Sequence, residues 1–302
     1  MAAPALAWSH NGHMAIAYRA YTQLTPSARS RANALLTLNP AFGRWTMFVP
    51  SGVSSWERSA MLFAIAATWP DQIKDDGKYS DDGADNGNRP SGPSASRNVG
   101  YSDTLRHKYW HFVDQPFTRD GTRLPVIPDP NARSRIRLFR SVIASNATDD
   151  LKSYDLVWLL HLIGDVHQPL HCATRASANL PRGDSGGNLV SVCEVPCQAI
   201  TQNLHAYWDS VLGGGFSVVD AVALARSLPS ADAKRGTLLD EAVWVQESFE
   251  LAQSRVYRSP IESGAGPFIV TAAYRRATAV EARGQVSLAA ARLASVLNGE
   301  LK

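Results

Sequence analysis

Residues 151–171 read LKSYDLVWLLHLIGDVHQPLH, and the apolar side chains of Leu156, Val157, Leu159, Leu160 and Ile163 recur at intervals of three and four, the period of an α-helix. The same period runs through Trp56–Ala67, Arg133–Ser145, Leu239–Tyr257 and Val270–Leu297. Alternating β-branched runs are scarce, and Leu189–Val195 is the best of them. The expected fold is therefore all-α, a single compact, mostly helical domain with minor β structure and long surface loops.

Within the quoted stretch, His161 and Asp165 are four residues apart and share one face of the helix, so the two can hold a single metal ion. Pro169 ends or kinks the helix and frees His171 to turn back toward that face. His167, two residues beyond Asp165, points off the face and is assigned to support or packing. The segment His205-Ala206-Tyr207-Trp208-Asp209 repeats the pairing, and a nitrogen and carboxylate donor set suits zinc. One such pair commonly makes nothing more than a hydrogen bond on a helix surface. Two pairs on apolar helices, where an unpaired charge is expensive, point to metal. Trp110-His111-Phe112-Val113-Asp114 adds a histidine in an aromatic setting, and Trp69-Pro70-Asp71 adds a carboxylate. His107, four residues before His111, could pair with it on a helix as a ligand, but between Arg106 and Lys108 it reads as solvated.

The rest of the chain sets bounds on function. It has 302 residues, 30 Lys and Arg against 27 Asp and Glu, and a net charge of +3, too small to identify a polyanionic partner. With 45% hydrophobic and 19% charged residues it has the balance of a folded globular protein. Three cysteines are too few to build a disulfide scaffold, and no apolar window is long enough to span a membrane. Lys74 to Asn98 is rich in Asp, Gly, Asn, Ser and Pro and reads as a long exposed loop. Its Asp75, Asp76, Asp81, Asp82 and Asp85 lack the order of a calcium loop and read as solvated. Ala173–Asn188 and Gly213–Gly215 are further loops. Ala5-Leu6-Ala7 has the pattern a signal peptidase cuts, so residues 1–7 are expected to be the remnant of an export signal, the other reading being an ordinary N-terminus. Cys193 and Cys197 can form a small local disulfide in an exported protein. Cys172 is then a small buried residue, a pairing partner for one of the other two, or a soft ligand.

Taken together, Trp8-Ser9-His10-Asn11-Gly12-His13, Trp69-Pro70-Asp71, Trp110 to Asp114, His161 to His171, Gly186-Gly187-Asn188 and Asn203 to Asp209 resemble the S1/P1 nuclease family of zinc-dependent single-strand nucleases. The resemblance implies a helical fold shared with zinc phospholipases C and a cleft holding three Zn2+ per chain. It places Asp71, His111, His161 and Asp165 on one zinc, and His171, His205 and Asp209 on a second. His13, a bridging Asp165 and the backbone amino and carbonyl groups of Trp8 take the third, which requires a chain beginning at Trp8. Lys74 stands where the family has a phosphate-contacting Arg and lacks that residue's two-pronged fork; its other reading is a solvated loop residue. Phe112 and Asp114 match positions that stack on and hydrogen-bond a nucleobase, with core packing the other reading of Phe112. Asn188 matches a position near phosphate or base, or is simply a turn residue.

This set leaves each zinc open positions for water, the pattern of a catalytic site, and coordination lowers the pKa of water to roughly 7. The implied activity is hydrolysis of single-stranded DNA and RNA to 5′-phosphorylated products by hydroxide held between zincs, with 3′-nucleotidase activity. Asp165, Asp71 and Lys74 are its expected catalytic residues. The protein is expected to be periplasmic or secreted and monomeric, with no membrane insertion. Two alternatives stand beside it, a lipid phosphodiesterase of the phospholipase C type and a non-catalytic zinc-binding protein.

Overall fold

The computed structural model describes residues 8–83, 97–194, 197 and 202–301. In chain order the helices are α1 (His10–Tyr21), α2 (Pro26–Leu36), α3 (Phe42–Trp45), α4 (Ser55–Ala66), α5 (Trp69–Asp75), α6 (Ala132–Ile143), α7 (Asp149–Asp165), α8 (Leu204–Ser210), α9 (Val218–Ser227), α10 (Ala233–Gly236), α11 (Glu241–Leu251) and α12 (Ala272–Glu300). The strands are short: β1 (Gln115–Thr118), β2 (Ala173–Ala176), β3 (Ser191–Cys193), β4 (Gln202–Asn203) and β5 (Phe268–Ile269). The fold is thus mostly helical, as expected. All five periodic segments are helices, and within the stretch expected as a strand residues 191–193 form β3.

Helix α7 is the central post. Thr148 caps it through its hydroxyl, Asp149 and Asp150 place negative charge at its positive end, and every residue from Lys152 to Asp165 is buried. Helices α1, α2, α5, α6 and α12 pack around it. Helix α1, which carries His13, is nearly as enclosed, with only His10 and Arg19 outside the buried set. The aromatic rings of Trp69, Trp110 and Trp158 meet edge to face against this post, Trp110 and Trp158 at 4.9 Å. They form a stiff wall one turn below His161.

A second apolar cluster, built on Leu170, Val192, Leu204, Trp208, Tyr257 and Tyr274, supports the other end of the site. Here β1 pairs in parallel with β2, from Gln115 opposite Ala173 to Thr118 opposite Ala176. Just before this ladder the Val113 amide donates to the His171 carbonyl at 2.7 Å, which brings the His111 and His171 segments side by side. Strand β3 pairs antiparallel with β4 and parallel with β5, holding the start of α8 and its His205.

Three loop expectations change. The Ala173–Asn188 stretch is not loop throughout, since its first four residues form the buried strand β2. Lys74 is not in a solvated loop: α5 runs through Asp75, and the Lys74 side chain is buried. Nor are all the aspartates of that stretch solvated. Asp82 accepts from the His107 amide and the Tyr109 hydroxyl at 2.9 and 2.8 Å, whereas Asp81 stays exposed while pairing with Arg106 and Lys108. Asp85 lies outside the described residues, as do residues 1–7 with the expected export remnant. Cys193 and Cys197 form a disulfide, and Cys172 is a free, buried thiol. No helix among the described residues is long and apolar enough to cross a membrane.

Candidate metal centre

Three groups of buried side chains bring ligand atoms within 4.8 Å of one another: His13, His161 and Asp165; Asp71, His111 and His161; and His171, His205 and Asp209. The His and Asp residues singled out in the sequence therefore assemble, although they come from α1, α5, α7, α8 and the loops between them. Asp165 is the hub. Its Oδ2 lies 3.0 Å from His111 Nδ1 and 3.2 Å from His161 Nε2, while Oδ1 lies 3.4 Å from His13 Nε2 and 3.7 Å from His171 Nδ1.

Backbone carbonyls decide what the imidazoles offer. His171 Nδ1 donates to the His111 carbonyl at 2.7 Å and His205 Nδ1 donates to the Gly186 carbonyl at 2.8 Å. In the neutral rings that leaves both Nε2 atoms unprotonated, and these face each other at 3.1 Å. Two lone pairs aimed at one another make no hydrogen bond; a cation between them resolves the conflict. His161 is fixed in the same way, with Nδ1 against the Ala67 carbonyl at 2.7 Å and Nε2 turned toward His111, Asp71 and Asp165. Such carbonyl anchors are what orient metal-binding histidines. Both ring nitrogens of His13, Asp71 Oδ2, Asp165 Oδ1 and Asp209 Oδ2 are buried without a hydrogen-bond partner, a costly state that ions would relieve.

The electrostatics agree. Burial pushes His13 down to about 4 and His111 and His205 down to about 3, so these rings are neutral and able to ligate at pH 7. Burial alone would raise Asp165 and Asp71. The surrounding histidines hold Asp165 well below the usual carboxylate range, and Lys74 and His161 do the same for Asp71. Burial drives Asp209 well above that range, a carboxyl that needs a cation to ionise.

Close packing demands glycine at two points. A Cβ on Gly164 would stand 2.9 Å from His13 Nδ1. One on Gly186, where φ is +60°, would meet the Leu170 carbonyl oxygen at 2.5 Å. Trp8 is buried beside Gly164, and its indole donates to the Gly164 carbonyl at 3.0 Å. The Ser9 amide bonds the Asp209 carbonyl at 2.9 Å, so the backbone around Trp8 lies between the ends of α7 and α8.

Of the remaining candidates, Lys74 Nζ pairs with Asp71 Oδ1 at 2.7 Å. Phe112 is half-buried and packs on the core beside His111, and Asp114 sits two residues on with φ +56°. The Asn188 side chain donates to the Ser185 carbonyl at 2.8 Å within its own turn. His167 is a packing residue, its Nε2 against Arg292 at 2.9 Å, and belongs to none of the three groups. His107 is not solvated. It is buried, stacked on Trp110 at 3.6 Å, and held by Asp82 and Asp103.

Two supporting residues escaped the sequence reading. Gln168 Nε2 donates to Asp209 Oδ1 at 2.7 Å while its Oε1 accepts from the Leu170 amide at 2.6 Å, so it fixes both Asp209 and the turn that delivers His171. Its position between His167 and Pro169 was the available signal. Asp184, fully buried, accepts from the Gly187 and Arg175 amides and the Tyr257 hydroxyl, and so secures the Gly186 turn. Nothing local marks it.

No curated protein sequence matches the chain. The sequence profile described as S1/P1 Nuclease matches residues 8–302, nearly the whole chain, and spans all three histidine and aspartate groups. With a mostly helical fold around buried groups suited to metal, the chain belongs to the S1/P1 nuclease family, whose members are hydrolases of phosphodiester bonds.

Proposed function

We propose that the protein is an exported, zinc-dependent phosphodiesterase that hydrolyses single-stranded DNA and RNA to products carrying 5′-phosphates, and that it also removes the 3′-phosphate of nucleotides. The observation that carries this reading is the convergence of lone pairs and unpartnered carboxylate oxygens on one buried centre around Asp165 in a chain of this family.

Asp71, His111, His161 and Asp165 would hold one zinc, His171, His205 and Asp209 a second, and His13 with Asp165 a third. The backbone amino and carbonyl groups of Trp8 complete that third set in a chain that begins at Trp8. Residues 8–302 would act as one domain. Zinc bound in these groups supplies Lewis acidity toward the phosphodiester and a nucleophile at neutral pH.

The protein's own residues do the rest. Asp165 touches members of all three groups, so its carboxylate sets their relative positions. Gln168 presents Asp209 in one orientation. Lys74 brings the positive charge nearest the Asp71 group, and its ammonium is a point charge that would meet a phosphate oxygen singly rather than in a bidentate pair. Phe112 and Asp114 would stack on and hydrogen-bond the base of the nucleoside joined through its 3′-oxygen, and Asn188 would contact phosphate or base from the Gly186 turn. Stacking accepts any base, and a duplex would have to unstack to use it.

The test is turnover of single-stranded DNA and of phosphatidylcholine before chelation, after it, and after zinc is returned. Loss and zinc-dependent recovery on DNA with no lipid turnover supports the reading. Turnover of the lipid alone, or DNA hydrolysis that survives complete metal removal, overturns it.

A further inference from the structure

Helix α1 carries two histidines one turn apart, His10 and His13. His13 is sealed inside, its ring stacked on His161 at 3.8 Å. His10 emerges half-buried at the rim of the same centre, where its ring lies in the field of Asp71, Lys74, Asp75 and His161. From His10 an aromatic run leads outward. The His10 and Phe216 rings meet edge-on at 5.5 Å and 71°, and Phe216 meets Phe48 edge-on at 4.8 Å and 66°. Phe48 is 39% exposed and its neighbour Met47 is 74% exposed.

This run is held in place from both sides of His10. Ser9 Oγ donates to the Gly213 carbonyl at 2.5 Å, and Asn11 Nδ2 donates to the Gly214 carbonyl at 3.3 Å. Asn11 Oδ1 accepts from the Ser217 amide at 2.9 Å. The residues flanking His10 therefore clamp the loop that carries Phe216, and they belong to the segment that delivers His13. Phe48 is 39% exposed and Phe216, packed on the core, is only partly buried, so both rings keep surface that a further partner can reach. Three rings reaching from a buried charged centre to solvent form a surface that a flat, partly polar ring would cover well.

A phosphodiester has a nucleoside on each side. Phe112, next to His111, is assigned to one of them. We propose that Phe216, with Phe48 and His10 beside it, is the stacking platform for the base of the other nucleoside, the one joined to the scissile phosphate through its 5′-oxygen. This inference rests on the phosphodiesterase reading above. It makes the His10 edge a specificity element for oligonucleotides, since a 3′-mononucleotide has no second base to offer.

The experiment compares a dinucleoside monophosphate with its analogue in which the 5′-linked sugar is abasic, using the zinc-loaded full chain. In the unaltered protein the second base is expected to lower KM by about tenfold, the order of one base–aromatic stack. Phe216→Ala should erase that difference by raising KM for the full dinucleotide alone, with kcat on the abasic analogue and zinc content unchanged. Phe216→Tyr, which keeps the ring, should restore it. Phe48→Ala, at a more exposed position, should give a smaller loss of the same kind and answers the question if Phe216→Ala fails to fold. Equal loss on both substrates, or no loss on either, overturns the platform while leaving the nuclease reading intact. An unaltered protein that turns over neither substrate overturns both.

Discussion

His171 and His205 point their Nε2 atoms at each other across 3.1 Å, each ring having given its other nitrogen to a backbone carbonyl. Similar convergence recurs where His161 and His111 meet Asp165. A fold that drives so many lone pairs and carboxylate oxygens into one dry place is under strain without cations. Ions bound at these points relieve it.

Metal removal should cost stability as well as activity. Each buried group loses several kcal/mol of binding free energy when its ion leaves, so the chelated protein is expected to melt about 10 °C lower or more than the zinc-loaded one. Thermal unfolding followed by circular dichroism, with zinc then returned, measures this. Identical melting curves would separate the centre from the fold.

Gln168 reaches Asp209 and no other carboxylate of the centre, so its effect should be local. Gln168→Ala is expected to weaken one zinc of the three by about 10–100-fold while leaving the others bound. Titration with a competing chelator resolves the classes of site, and uniform weakening of all three would contradict the assignment.

The His161–Asp165 and His205–Asp209 pairs were legible because four residues make about one helical turn, a relation that needs no tertiary knowledge. Pro169 likewise announced that His171 would leave the helix, and it does so in a single 3-10 turn over Pro169–His171. Helix α1 gave no comparable signal: packed against α4, α7, α9 and α12, it is buried almost all round and has no apolar stripe. His107 was misjudged from its basic neighbours, although Asp103 stands four residues before it; its second partner, Asp82, comes from 25 positions earlier in the chain. Asp184 and the His10 rim depend on contacts with Tyr257 and Phe216, which spacing cannot express.

Gly164 lets α1 approach α7 closely enough for His13 to join Asp165. Gly164→Ala would push a methyl against the His13 ring and Ile16, and is expected to destabilise the fold by about 1–3 kcal/mol, with loss of the His13 zinc. Denaturant unfolding and zinc analysis check both parts. An unchanged midpoint with full zinc would show that the contact relaxes without cost.

His107 gives a pH signature away from the metal. Burial opposes its charge, but Asp103 and Asp82 outweigh burial and raise its pKa, so the folded state holds this proton more tightly than the unfolded chain. Its stabilising contribution is therefore complete below the ordinary histidine range near 6.5 and is lost as pH rises through the higher folded value. His107→Asn, which leaves two buried carboxylates without their partner, is expected to cost about 3–5 kcal/mol at pH 6 and clearly less at pH 9. Urea unfolding of both proteins at the two pH values decides it, and an equal cost at both would exclude a charged His107.

The most direct measurement is zinc content against turnover in the protein and in Asp165→Asn, since the Asp165 carboxylate reaches members of all three groups. Three zincs per chain and hydrolysis of single-stranded DNA are expected in the unaltered protein. The variant should hold fewer zincs, with activity down by more than about a hundredfold. Full activity in Asp165→Asn, or DNA hydrolysis by a protein that binds no zinc, would contradict a zinc centre organised by Asp165.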